Sequence, residues 1–131
     1  MRRTLLLPIA ATLLLAACGG KETTACGDPG GSNMCPGADC LSCHSFKAAG
    51  TVFAGAGSTT PVSGATVTLV PATGSTVTLT TNSAGNFYGS GALAFPVQIT
   101  IHKGADTVHM TDAGSGGCNG CHDSGFRIHL P

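Results

Sequence analysis

Aromatic residues and charges are scarce in this chain of 131 residues. It has no Trp, one Tyr and five Phe, and only 9% of its residues are charged. Six acidic and six basic side chains give a formal net charge of zero, which argues against a basic nucleic-acid-binding surface. Because large apolar side chains are few, we expect a thin core that depends on a disulfide, a metal or a cofactor for stability.

The signatures of common enzyme classes are also missing. No Ser/His/Asp set, carboxylate pair, phosphate-binding loop or dinucleotide fingerprint stands out in the sequence. The 20 Gly, together with many Thr and Ser, favour short strands and turns over helices. We therefore expect a mainly β protein that is not an enzyme.

The first residues have the pattern of an export signal. Two arginines follow Met1, and a largely apolar stretch, too short to span a bilayer as a helix, ends at residue 17. The sequence Leu15-Ala16-Ala17-Cys18 resembles the bacterial lipobox, which implies a signal peptide at 1–17 and lipidation of Cys18. Because Gly19 follows, the resemblance implies an anchor in the outer membrane, on its periplasmic or cell-surface side. The alternative is an ordinary signal, with Cys18 in a disulfide.

The rest of the chain divides by composition. Residues 18–38 are rich in Gly, Asp, Pro and Ser, which is typical of a tether or loop. Residues 50–110 show period-two alternation of apolar and polar side chains, and two compact cysteine motifs flank them in segments 39–49 and 111–131. We expect a single central β domain between two irregular segments.

Alternation within 50–110 predicts individual strands. The best candidates are 65–70, 76–81 and 97–101, and weaker ones are 51–54, 86–89 and 107–110. Turn sequences separate them at 61–64, 71–74 and 82–86. Short strands punctuated in this way predict an antiparallel β-sandwich of about seven strands or slightly fewer.

Two stretches of the central domain resemble a known sandwich family. Pro61-Val62-Ser63-Gly64-Ala65-Thr66-Val67-Thr68-Leu69 and Thr80-Thr81-Asn82-Ser83-Ala84-Gly85-Asn86-Phe87-Tyr88 are similar to the carboxypeptidase regulatory-like, or prealbumin-like, domain. The resemblance implies a prealbumin-like β-sandwich. Such domains are mostly structural or adhesive, so the fold alone assigns no function.

The motif CxxCH occurs twice, as Cys40-Leu41-Ser42-Cys43-His44 and as Cys118-Asn119-Gly120-Cys121-His122. It is the attachment signature of c-type haem: the two thiols form thioethers with the vinyl groups, and the histidine is the proximal iron ligand. With seven Cys and five His in the chain, chance produces this motif at about one start position in ten thousand. The sequence therefore predicts two covalently bound haems c.

Other uses of the cysteines remain open. The CxxC pairs could be short-range disulfides or dithiol redox sites, although no helical or βαβ pattern lies beside either motif. A four-cysteine zinc site would need its halves closer than Cys43 and Cys118, and it leaves the two histidines unexplained. A haem peroxidase or sensor would need an open iron position.

The flanks of the motifs extend the likeness to nearly the whole mature chain. Met34-Cys35-Pro36-Gly37-Ala38-Asp39 before the first motif, and Met110 and Arg127-Ile128 around the second, resemble a family of small dihaem lipoproteins with a sandwich between the haem sites. The resemblance implies electron transfer at the cell envelope between redox protein partners. Cys35 departs from the family pattern.

The distal iron ligands have several candidates. Met and His are the usual choices, and the resemblance favours Met34 and Met110. His129, close to the second motif, and His109 are weaker candidates, and His102 lies on a polar face.

In an oxidising compartment, Cys26 and Cys35 are expected to pair. An odd number of strand crossings would put the haems at opposite poles, which suits a homo-oligomer or head-to-tail array. An even number, or a tail that folds back through 111–117, would put the haems side by side.

Overall fold

The computed structural model of the chain describes residues 34–131. This part is mainly β, with six strands in two antiparallel sheets that pack as a sandwich, as the sequence predicts. The elements are a 3₁₀ helix at Cys40–Ser42, then β1 (Ala48–Thr51), β2 (Thr66–Pro71), β3 (Val77–Thr80), β4 (Asn86–Gly89), β5 (Val97–Lys103), β6 (Asp106–Ala113) and a one-turn helix α1 (Cys118–Cys121). One sheet pairs β1 with β4, and the other has the order β3-β2-β5-β6.

The predicted strands are close to the observed ones, with one exception. The candidate at 51–54 is displaced, because β1 covers Ala48–Thr51 instead. All four residues of β1 are buried, so the strand lacks the alternation from which strands are predicted. Phe53 forms isolated bridges with Pro61 and His129, outside any regular strand.

Alternating side chains of the larger sheet form most of the core. Val67 and Leu69 of β2 face inwards and lie opposite Ile101 and Ile99 of β5. Phe87 of β4 packs on this layer from the smaller sheet. Each large side chain that is fully buried contributes about 1.5–3 kcal/mol of transfer free energy, so this layer is the main source of stability.

The turn predicted at 82–86 positions the start of β4. The side chain of Asn82 accepts hydrogen bonds from the backbone N–H groups of Ala84 and Asn86, each at 3.0 Å. Gly85 has a left-handed backbone with φ of 72°, and a Cβ there would lie 2.7 Å from the carbonyl oxygen of Val52. The turn therefore depends on glycine at this position.

The C-terminal segment folds back along the start of the domain. Gly117 forms a parallel bridge with Ala49, and His129 forms another with Phe53. Residues before position 50 and after position 110 therefore take part in β pairing, outside the predicted 50–110 domain. No helix among residues 34–131 has the length and apolar character needed to cross a membrane.

Candidate cofactor-binding site

Each CxxC segment forms one helical turn. In the first, the carboxylate of Asp39 accepts a hydrogen bond from the backbone N–H of Leu41, and in both the histidine N–H donates back to the first cysteine carbonyl. Residues three apart in a helical turn project on the same side, so the two cysteines of a motif can face one ligand. Both segments were expected to be irregular; one turn is too short to leave a periodic pattern in the sequence.

The two motifs lie side by side. The side-chain amide of Asn119 donates a hydrogen bond of 2.8 Å to the carbonyl oxygen of Ala38, 81 residues earlier. A Cβ built on Gly117 would lie 3.2 Å from Cδ1 of Leu41, inside the first motif. The chain therefore folds back after β6, and the motifs are not at opposite poles of the sandwich.

Close backbone packing holds the second motif against β1. A Cβ on Gly50 would lie 2.8 Å from both Cβ of Cys118 and the ring of Phe87. A Cβ on Gly116 would overlap the carbonyl of Lys47. Glycine at these two positions lets Cys118 reach the edge of the core.

A cavity of about 240 Å³ opens beside the second motif. Its walls are mostly apolar and include Ile99, Ile101 and Val108 of the larger sheet, and Cys118 and His122 also line it. The volume is below the range of about 300–1,000 Å³ typical of pockets that enclose a ligand. The cavity would therefore cover one part of a large planar ligand and leave the remainder at the surface.

The ring of His122 has the protonation pattern that is typical of a metal ligand. Its Nδ1 lies 3.0 Å from the carbonyl oxygen of Phe126, which can only accept, so Nδ1 carries the proton and donates it. Nε2 then keeps its lone pair, which is the usual arrangement of a histidine that binds a metal through Nε2. The geometry fits the proximal role predicted for this residue.

Three predicted distal ligands also line the cavity: Met110, His109 and His129. Met110 is opposite Ile99 in the sheet, on the face that lines the cavity, and 38% of its side chain is exposed. His109 is opposite Thr100 and its Nδ1 lies 3.0 Å from that hydroxyl, on the other face. Of the two β6 side chains, Met110 is the one on the same sheet face as the core residues Ile99 and Ile101.

His129 is a second residue able to serve as a distal ligand here. It is half-buried, and its Nδ1 lies 3.1 Å from the carbonyl oxygen of Leu130, which leaves Nε2 with its lone pair. The structure thus brings both Met110 and His129 to the cavity that contains His122.

The histidine of each motif stacks on a phenylalanine. His122 and Phe126 have ring centroids 5.0 Å apart, and His44 and Phe46 are 4.9 Å apart. Phe126 is 71% exposed and borders the cavity, so a ligand seated there would cover an unusually exposed aromatic ring. His44 is exposed, and its stack continues from Phe46 to Tyr88 at 4.8 Å.

A cation borders the same cavity. The guanidinium carbon of Arg127 lies 5.0 Å from the ring centroid of Phe53, and its Nη1 donates to the carbonyl of Ser58 at 3.3 Å. Among the residues that line the cavity, Arg127 is the one with a permanent charge. It would suit a ligand that carries carboxylates.

Burial raises the pKa of two thiols of the site, those of Cys118 and Cys40. The pKa of Cys118 is raised to about 11, first by burial and then by the nearby thiols of Cys40 and Cys121. The pKa of Cys40 is also raised, by burial and by the charge of Asp39. Mutual influence between Cys40 and Cys118 agrees with the contact between the two motifs.

The cysteines differ in their oxidation state. Cys40, Cys118 and Cys121 are free, whereas Cys35 and Cys43 are disulfide-bonded. A disulfide sulfur cannot also form a thioether, so haem attachment at Cys43 requires prior reduction of its disulfide. The predicted partner of Cys35, Cys26, lies outside the described residues, and so does Cys18.

The remaining predicted site residues are not at the cavity. The carbonyl of Met34 accepts a hydrogen bond of 2.6 Å from the side chain of Asn86, which fixes its backbone near the start of β4. His102 is exposed at the end of β5. The structure thus describes a complete set of candidate ligands around the second motif and a more open environment around the first.

Sequence reasoning missed Asn119, which lies inside the second CxxC and is buried. No residue pattern marks an asparagine in that position as structural.

Within residues 34–131, no three His, Cys, Asp or Glu side chains come together where they could hold a metal ion. A haem iron needs only axial ligands from the protein, because the porphyrin supplies the others.

Comparisons with protein-family models, curated proteins and solved structures give no match.

Proposed function

We propose that the protein is a dihaem c-type cytochrome that transfers electrons at the cell envelope and performs no substrate chemistry. One observation carries the proposal. Two CxxCH turns adjoin, and the second opens on a mostly apolar cavity lined by both Met110 and His122, whose Nε2 keeps its lone pair. A disulfide or zinc function gives no reason for an apolar cavity between these two side chains.

The residues that would hold the two haems follow from the motifs and the cavity. The thioethers would form at Cys40, Cys43, Cys118 and Cys121. His44 and His122 would be the proximal ligands, with Met110 distal at the second site and Met34 distal at the first. The haem supplies an iron that accepts and releases one electron.

The other cavity residues would shape the environment of the second haem. Phe126 would be covered by the macrocycle, and Arg127 would face its propionates in a charge-assisted contact. The sheet residues Ile99 and Ile101 would exclude water from one side. Such burial is one of the means by which a protein sets the potential of a haem.

The position of the protein follows from its first residues. A lipid on Cys18 would anchor the chain to the outer membrane, on the periplasmic or cell-surface side, and its partners would be other redox proteins. The signal-like segment 1–17 and the small residues before Cys18 support this proposal.

A second candidate function is favoured by the disulfide at Cys43. In that case the protein is a structural or binding β-sandwich lipoprotein. Disulfides within the CxxC pairs were the expectation for it, but Cys40, Cys118 and Cys121 are free, so Cys43 pairs outside its own motif. The cavity would then hold an apolar ligand or a partner side chain, and the histidines would have no common role.

Intact mass and a pyridine haemochrome assay test the two candidates on protein from a host that matures c-type haem. We expect two covalent haems per chain, and one in Cys118→Ala/Cys121→Ala. A chain without covalent haem, whose mass corresponds to paired cysteines, would overturn the cytochrome proposal and leave the second candidate.

A further inference from the structure

Three buried polar side chains connect the two motifs: Thr51 of β1, Asn86 of β4 and Asn119 of α1. Asn119 makes three hydrogen bonds. Its amide nitrogen donates to the carbonyl of Ala38 at 2.8 Å and to the hydroxyl of Thr51 at 3.0 Å, and its oxygen accepts from the N–H of Thr51 at 2.9 Å. The amide group is therefore fully used inside the protein.

The same network also holds the chain that precedes the first motif. The Thr51 hydroxyl donates to the side-chain oxygen of Asn86 at 2.6 Å and accepts from the N–H of Gly37 at 2.9 Å. The amide nitrogen of Asn86 donates to the carbonyl of Met34 at 2.6 Å. Segment 34–38 and helix α1 are thus attached to the same point of β1.

A buried network in which every member is satisfied specifies one geometry, because any shift leaves a polar group without a partner. Here the network fixes the position of α1 relative to the turn before Cys40. An asparagine that only completed the helix would not need to reach a segment 81 residues away.

We infer that the two haems form a single interacting pair, and that Asn119 is the positioning residue that sets their separation. The inference rests on the proposed function. A macrocycle is much wider than a helical turn with a rise of about 5 Å, so two of them on adjoining turns come close together. An electron on one haem then disfavours reduction of the other through the Coulomb interaction of the two sites.

A pair of this kind is a further functional property. The protein would hold two electrons with interacting potentials and exchange them within one molecule. The difference between the two reduction potentials would depend on the distance between the haems, and this distance would depend on the hydrogen bonds of Asn119.

Circular dichroism of the haem absorption band tests the inference on the holoprotein. Two close haems give a signal with paired positive and negative lobes. We expect this signal in the unmodified protein and a loss of at least about half of it in Asn119→Ala, with two haems still attached. Asn119→Ser is the second variant if the alanine chain does not fold. Redox titration should show two overlapping steps that approach independence in either variant.

Thr81→Val is the matched control. Thr81 is also buried, but its hydroxyl contacts neither motif. It donates a hydrogen bond of 2.6 Å to the carbonyl of Val62 and accepts one of 2.8 Å from the N–H of Ala65. Its loss should lower stability without changing the paired signal. Two attached haems without that signal, or an unchanged signal in Asn119→Ala, would overturn the inference and leave the proposed function standing. Absence of covalent haem would overturn both.

Discussion

The two CxxCH motifs share a sequence pattern but differ in surroundings. The second begins at a buried cysteine and opens on a cavity with apolar walls. The first has no buried residue in its turn, its histidine is exposed, and its second cysteine is disulfide-bonded. The same sequence motif therefore has one protected environment and one open environment.

Under the proposed function, this difference predicts unequal roles for the two haems. Burial disfavours the more highly charged oxidised iron and so raises the potential of a haem. The haem at Cys118 would consequently be the better electron acceptor. The haem at Cys40 would be the more accessible to a partner, because His44 lies at the surface.

The largest expected effect comes from removing one attachment site at a time. Cys118→Ala/Cys121→Ala should destabilise the holoprotein more than Cys40→Ala/Cys43→Ala, because only a haem at the second motif would cover Phe126 and the exposed part of Met110. That burial contributes about 2 kcal/mol, which corresponds to about 8–16 °C in melting temperature for a domain of this size. Thermal unfolding followed by circular dichroism gives the comparison. Equal melting temperatures would contradict the difference between the two environments.

An intermediate effect is expected from the distal methionine. Met110→Ala should abolish the far-red absorption band of Met–iron ligation at the second haem and lower its potential. The decrease should be on the order of 0.1 V, a small part of the about 0.8 V that axial ligands span. Met34→Ala is the matched change at the first haem. If the spectrum is unchanged in Met110→Ala and changes in His129→Ala, His129 is the ligand.

The smallest effect concerns the chain made without haem, under conditions that keep Cys118 and Cys121 reduced. Because the thiolate is the reactive form, a pKa of about 11 should make Cys118 react with iodoacetamide about tenfold or more slowly than the exposed Cys121 at pH 8. The Cys118 rate should rise with pH until about pH 11. Peptide mass spectrometry measures both sites. Equal rates would mean that the environment of Cys118 forms only with the cofactor.

The sequence was sufficient for the central strands because their side chains alternate. Val67 and Leu69 in β2, and Ile99 and Ile101 in β5, point inwards as their spacing predicts. It was insufficient for β1, where Ala48 to Thr51 are buried on both faces and no period-two signal exists.

The motifs were predictable from sequence, but their relative position was not. That position depends on the tail that returns along β1 and on the amide of Asn119, a contact across 81 residues. The cavity depends further on the register that places Met110 opposite Ile99, and this register includes a shift between Val97 and Ile99. Such features arise from tertiary packing, which local residue patterns do not encode.

The hydrogen bond between Asn86 and the carbonyl of Met34 limits how far the two CxxCH motifs can lie from a membrane that holds Cys18. It fixes the point where the described chain begins at the same end of the molecule as the attachment motifs. With a lipid on Cys18, the 16 residues up to Met34 span at most about 55 Å when fully extended. A lipid on Cys18 would therefore keep the end of the molecule with the two CxxCH motifs, rather than the far end of the sandwich, within that distance of the bilayer. Redox partners would then have to bind the protein close to the membrane surface.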